Sequence, residues 1–234
     1  MIIMELFIKV KKMVVKTIRY LKYFYHIIKY KNSQKVFLIG RNKTGTTSMR
    51  ILMRKLGYKD GDQRIAERLQ TSFLKCNYKP LFRYINSAEF FQDFPFSYPP
   101  TYRVLSKKFP TAKFILTERD SSKIWFESLK RFHSKVFNFS DNITWNDIKN
   151  LTYVKKGWIY KNFKYLGFTN SGYPYDEELL RKHYECYNTD VKQFFGNSKN
   201  FIAINLNKPI DAVRLSKFLN VSISHFPHTN KSVD

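Results

Sequence analysis

Lys43 lies between two glycines and just ahead of three hydroxyls, in the stretch Lys35-Val-Phe-Leu-Ile-Gly-Arg-Asn-Lys-Thr-Gly-Thr-Thr-Ser48. Those residue types in that order suit an anion. A helix start offers spare backbone N–H groups and the positive end of its dipole, which together hold phosphate. Lys43 adds a full charge, and Arg41, Asn42, Thr44, Gly45, Thr46, Thr47 and Ser48 complete the candidate loop. The nucleoside-triphosphatase loop is ordered differently: Gly, four residues, Gly, then Lys and Ser or Thr. Gly40 and Gly45 have that separation, but Thr46 occupies the lysine position. This disfavours a small-molecule kinase with its magnesium-binding hydroxyl and points to a phosphate-bearing cofactor held another way. A strand–turn–helix with an incidental lysine is the plain alternative.

A second cation, Arg119, closes the apolar run Lys113-Phe-Ile-Leu-Thr-Glu118. An arginine fork can give a phosphate two parallel hydrogen bonds. Its alternative use is an ion pair with Glu118 or Asp120. Ser128, on the helix that follows, can donate another bond.

The elements that must position these groups follow from periodicity. Val36 to Ile39 reads as a buried parallel strand. Thr46, Thr47 or Ser48 can cap a helix continuing through Met49, Ile51, Leu52 and Leu56. Helical patterning recurs from Gln63 to about Lys75 and from Pro80 to Phe91, and Pro95, Pro99 and Pro100 mark loops. Tyr102 to Phe109 reads as a short helix. After the strand at 113–118, Ser121 or Ser122 can cap a helix with Ile124, Trp125, Leu129 and Phe132 at helical spacing. Residues 138–174 read as irregular, a lid or substrate loop. A long helix begins at Asp176 with Leu180, Tyr184, Tyr187, Val191 and Phe194 as its buried stripe. A third strand spans 201–206, and a last helix Pro209 to Leu219. This β-α order predicts an α/β fold, a three-layer parallel sheet flanked by helices, in which ligands bind beyond the carboxyl ends of the strands.

The 234 residues suffice for one such domain, and an aromatic share of 18% favours a folded chain. Two distant cysteines, Cys76 and Cys186, form no disulfide framework or zinc pattern and read as buried or half-buried thiols. The net charge of +24 attracts anionic partners: nucleic acid, membrane or substrate. Nine Lys/Arg and only Glu5 lie between Met1 and Lys35. Lys9, Lys12, Lys16, Arg19 and Lys22 recur there at helical steps among Phe7, Ile8, Val10, Val14, Val15, Ile18, Leu21 and Tyr25, the pattern of a basic amphipathic helix. The uncharged runs fall short of the roughly 18 residues of a membrane span, and no signal peptide is evident. Residues 1–32 therefore read as a basic helix preceding an α/β domain at 33–234. The helix either attaches peripherally to an anionic membrane or packs, solvated, on the domain. The location expected is the cytoplasm, peripheral to a membrane on the first of those alternatives.

Lys43-Thr-Gly-Thr-Thr47 and Phe114-Ile-Leu-Thr-Glu-Arg-Asp120 with Trp125-Phe-Glu-Ser-Leu129, in this order, resemble the sulfotransferase family. The likeness runs from about Lys35 to Lys231 and takes in Tyr184-Glu-Cys-Tyr-Asn188 and Phe226-Pro-His-Thr-Asn230. It implies the P-loop nucleoside-triphosphate-hydrolase-like sulfotransferase fold and the donor 3′-phosphoadenosine 5′-phosphosulfate (PAPS), with no metal required. Lys43, Gly45, Thr46, Thr47 and Ser48 then take the 5′-phosphosulfate, and Arg119 and Ser128 the 3′-phosphate. Arg119 and Ser128 are nine residues apart rather than the family's usual eight, so Ser121 and Ser122 are alternatives. The family's Arg-Lys-Gly segment is absent, and Lys231 is its only candidate substitute. The general base implied is Asp93, in place of the histidine of a His-x-Pro segment. Glu67 is second and His133, read as a surface or loop-supporting residue, third; an Asx-turn is the alternative use of Asp93. The acceptor expected is a hydroxyl or amine, carbohydrate or lipid-linked glycans included, with no nucleic acid partner. A non-catalytic basic module binding membrane or nucleic acid is the remaining alternative.

Overall fold

The computed structural model describes residues 2–139 and 142–227. Lys231 and the segment from His228 onward lie outside the described residues. The chain runs α1 (Ile2–Tyr30), β1 (Val36–Leu38), α2 (Thr46–Lys55), α3 (Gln63–Arg68), α4 (Gln70–Leu74), α5 (Lys79–Ile85) and β2 (Phe90–Phe91). It continues through α6 (Thr101–Lys108), β3 (Lys113–Thr117), α7 (Ser122–Phe137), α8 (Trp145–Asn150), α9 (Trp158–Tyr165), α10 (Glu177–Phe195), β4 (Phe201–Ile204) and α11 (Pro209–Leu219).

The strands form one parallel sheet in the order β2-β1-β3-β4. Both faces are covered, so β1 is apolar at every position. Phe37 and Ile39 face a cluster with Phe91, Phe114 and, from α10, Tyr187 and Val191. Val36 and Leu38 face Met49 and Leu52 of α2 and Ala212 and Leu215 of α11. These two cores enclose the sheet as the middle of three layers.

Four of the expectations from periodicity change. Phe90–Phe91 is a strand, pairing with Val36–Phe37, and not the end of a helix that stops at Ile85. Two residues are too few to carry a period of their own. Residues 138–174 include the helices α8 and α9 between irregular stretches, because Ile148 of α8 and Trp158, Ile159 and Phe163 of α9 join Trp125, Leu129, Leu180 and Tyr184 in a third apolar cluster. Phe194 is exposed, since the buried stripe of α10 ends at Val191. Both cysteines are exposed: Cys76 follows α4 in a left-handed turn, and Cys186 lies on the outer side of α10.

Gly40 leaves β1 where the sheet is most crowded. A Cβ there would lie 2.5 Å from the carbonyl oxygen of Thr117 and 2.7 Å from its nitrogen. Both are backbone atoms that cannot rotate away. Gly40→Ala is therefore expected to cost about 2–3 kcal/mol in urea unfolding, the range of core overpacking; an unchanged midpoint would mean β1 and β3 part freely at this end.

Candidate functional site

After β1 the chain goes to β2 on one side, and after β3 to β4 on the other. Connections leaving in opposite directions open a crevice between the carboxyl ends of β1 and β3, the place where open α/β sheets take ligands. The loop at 40–45 and the turn at 118–121 form its two walls.

The first wall is built from unusual backbone. Lys43 has φ 70° and Gly45 φ 96°, both left-handed. At Gly45 a side chain would also meet Leu206, whose Cδ2 lies 2.6 Å from the Cβ position. Gly45 is the N-cap of α2, and no side chain caps the helix, so the expected hydroxyl cap is absent. Thr46, Thr47 and Ser48 lie inside the first turn instead, where backbone N–H groups lack helical partners.

Two loop residues spend their side chains on support. Thr44 Oγ1 donates to the Arg41 carbonyl (2.6 Å) and lies 2.7 Å from Thr117 Oγ1, which must then be the donor to it. Arg41 is buried, donating to the Ser97 carbonyl (2.6 Å) with its guanidinium 4.9 Å from the Tyr98 ring and 5.5 Å from Tyr187. The Asn42 carbonyl accepts from Trp125 Nε1 at 2.9 Å.

Arg119 makes no ion pair with its sequence neighbours. Glu118 pairs with Lys192 at 2.8 Å, and Asp120 accepts from Asn205 and Asn207, both at 2.7 Å. Arg119 Nε instead donates to the Lys43 carbonyl at 2.8 Å, joining the two walls. The Lys43 ammonium rests 3.9 Å from the centre of the Phe132 ring. Burial lowers its pKa, and Arg119 and Arg131 lower it further, opposed by Asp93. None of these three cations has an ion-pair partner among the described residues.

Helix geometry places Ser128. Trp125 and Phe132, which touch the loop at Asn42 and Lys43, are three residues before it and four after it, so Ser128 shares their stripe of α7. Ser121 is occupied as the cap of α7, accepting from the Ile124 N–H at 3.2 Å. Ser122 donates to Glu185 and accepts from Arg181.

Asp93 stands just past β2, beside β1, with φ 54°. One carboxylate oxygen accepts from Gln92 (3.0 Å); the other, Oδ1, is buried without a partner. Burial raises its pKa against the opposing pull of Thr46, Arg50, Gln92 and Lys43. Glu67 lies in the same region. It accepts from Tyr153 at 3.2 Å, and its pKa is raised by burial, with Asp93 adding to the rise. His133 is buried rather than superficial: Nδ1 lies 2.8 Å from Tyr175 Oη, and burial, aided by Lys43, lowers its pKa to about 3.

Sequence reading missed four supporting residues. Arg50, one turn beyond Thr46, holds its charge near Asp93 with a buried, unpartnered Nε. Tyr153 came from the segment read as irregular. Tyr184 accepts from the Arg119 N–H (2.9 Å) and Tyr187 donates to the Ile39 carbonyl (2.7 Å), so one face of α10 holds both walls. Their i, i+3 spacing at the crevice was the available signal.

A family model described as a sulfotransferase domain, Sulfotransfer_4, matches residues 35–234. That span begins at the residue before β1 and takes in every site residue named above. No curated protein matches the chain.

The buried histidine has a measurable consequence. His133 stays neutral in the folded protein down to about pH 3, whereas an unfolded histidine binds its proton near pH 6.5. Unfolding therefore takes up a proton between those values, and stability falls as pH drops from 6.5 toward 3. Urea unfolding at pH 7 and pH 5 should show His133 contributing a loss of order 1–2 kcal/mol. A folded His133→Gln variant should lose that part of the slope; an identical slope would mean the imidazole is accessible to protons.

Proposed function

Because this chain belongs to the sulfotransferase family, we propose that it transfers the sulfuryl group of PAPS to a hydroxyl acceptor in the crevice between β1 and β3. The observation that carries the proposal is the meeting of Lys43 and Arg119 at the topological switch point, with Arg119 Nε bonded to the Lys43 carbonyl and neither side chain in an ion pair among the described residues. Cations held close together gain stability from an anion placed among them.

The residues present fit such a donor. Gly45 supplies the left-handed turn into α2, whose first turn presents N–H groups beside Lys43. These would hold the 5′-phosphosulfate; Arg119 and Ser128, on the opposite wall, would hold the 3′-phosphate. PAPS, when bound, supplies an activated sulfuryl group and a stable bisphosphate leaving group. Lys43 and the α2 N–H groups would stabilise the negative charge that develops as transfer proceeds.

Asp93 is the proposed general base. Its unpartnered Oδ1 can accept the acceptor's proton, and a raised pKa brings its basicity closer to that task. Arg50 and Gln92 orient the carboxylate. Glu67, already accepting from Tyr153, is assigned to support of the same pocket.

Adenosine 3′,5′-bisphosphate should raise the melting temperature without magnesium, and ATP with magnesium should do so weakly; stabilisation by ATP–magnesium alone would overturn the donor assignment. Lys43→Ala and Arg119→Ala should each weaken binding of the bisphosphate about 10- to 100-fold in calorimetry, the worth of a charge-assisted hydrogen bond. Asp93→Asn should leave that affinity nearly intact and lower kcat by about two to four orders of magnitude. With wild type, kcat should fall on acidification as Asp93 is protonated, at a pH above that of an ordinary aspartate. Full turnover by Asp93→Asn, or a loss confined to Glu67→Gln, would move the base elsewhere.

A further inference from the structure

The longest exposed apolar surface among the described residues lies on α1, outside the span matched by the family. Fourteen of the 22 exposed large hydrophobic side chains fall between Met4 and Ile28, Phe7 being 68% and Leu21 61% exposed. The solvated-helix alternative required α1 to pack on the domain. From Met4 to Val15 and from Thr17 to Lys22 it does not. Only its last two turns touch the domain, through the half-buried Tyr23, His26, Ile27 and Tyr30. Lys35 fastens that end, its Nζ donating to the Tyr30 carbonyl (2.5 Å) and the Ala88 carbonyl (2.7 Å).

The 100° step of a helix shows how the two surfaces are related. Tyr23, His26, Ile27 and Tyr30 cluster on one side. Leu6, Phe7, Val10, Val14, Leu21 and Phe24 occupy the opposite side, pointing away from the domain. Lys11 and Lys22 lie along one edge of that apolar arc and Lys9 along the other. Lys12 and Arg19 are on the far face.

We propose that α1 lies flat on an anionic lipid bilayer, its apolar arc in the headgroup–acyl boundary and its edge lysines among the headgroups. Charge selects this occupant over a second copy of the chain. Residues 2–30 hold seven Lys/Arg and one acidic residue, Glu5. A helix pair would bring those like charges together with only Glu5 of each helix to relieve them. The arc is also wider than the two-position seam of a coiled coil, whereas interfacial helices use half their circumference. Long lysine stems at the edges can run along the arc and keep their ammonium groups at the headgroups. Among the described residues no helix is long and apolar enough to span the bilayer.

The test uses the full-length protein, floated with vesicles of phosphatidylcholine alone or with about 30% phosphatidylserine. Binding should be stronger to the anionic vesicles by about tenfold or more and weaken in about 0.5 M salt. The Phe7→Asp/Leu21→Asp double variant should lose about tenfold or more of that binding with its melting temperature and bisphosphate affinity unchanged, since neither residue contacts the domain. Lys11→Glu/Lys22→Glu should abolish the preference for anionic vesicles. Equal binding to both vesicle types by the wild type, or binding unaffected by Phe7→Asp/Leu21→Asp, would overturn the proposal. So would a lipid-free dimer in sedimentation equilibrium that the same double variant dissociates, which would give the arc to a second copy.

Discussion

The approach of β1 to β3 at Gly40 is the constraint on which the site depends. With no side chain at that position, Thr117 sits against the backbone and its hydroxyl reaches Thr44. The loop is thereby tied to the neighbouring strand just where the two chains part in opposite directions. Arg119 crosses the same gap to the Lys43 carbonyl, and Trp125 crosses it to Asn42. Tyr184 and Tyr187, one turn apart on α10, each hold one wall. The left-handed backbone at Lys43 and Gly45 is held by these bonds from several elements, as locally strained geometry has to be.

That rigidity gathers charge at a cost to stability. Lys43 is half-buried beside two arginines, its ammonium resting on the face of Phe132. Burial raises the pKa of both Asp93 and Glu67, and the nearness of Asp93 raises that of Glu67 further. Cations on one side and reluctant carboxylates on the other suit a reaction in which an anionic donor meets an acceptor that must lose a proton. They do little for the folded state by themselves. The three apolar clusters, two enclosing the sheet and one of helices α7 to α10, supply the stability that such a site consumes.

The helix α1 obeys a different rule from the rest of the chain. Elsewhere large apolar side chains are mostly enclosed; on α1 they point outward, and the side that meets the domain is the opposite one. The sulfotransferase domain covers the part from residue 35 onward, and of this helix only the last two turns pack on it.

Much of this architecture was legible in the sequence because its signals are local. Apolar runs marked β1, β3 and β4, glycines marked the loop, and three- and four-residue steps marked α1, α2, α7, α10 and α11. The displaced lysine and the arginine closing a strand identified the walls of one crevice. Local pattern gave no account of β2, whose two residues become a strand only against Val36 and Phe37. Nor did it show that residues 145–165 fold into helices over α7, which depends on the aromatic cluster they enter. Most of all, it could not say how each side chain is used. Arg41 and Lys43 are both cations in one loop, yet Arg41 is buried against tyrosines 57 and 146 residues away while Lys43 faces the crevice. His133 reads as superficial along its helix and is enclosed by Tyr175 and Phe163. Sequence determined the elements and the chemical types, because neighbours along a chain set period and turn. Tertiary structure decided which groups stay free for chemistry, because burial and hydrogen bonding are set by partners distant in sequence.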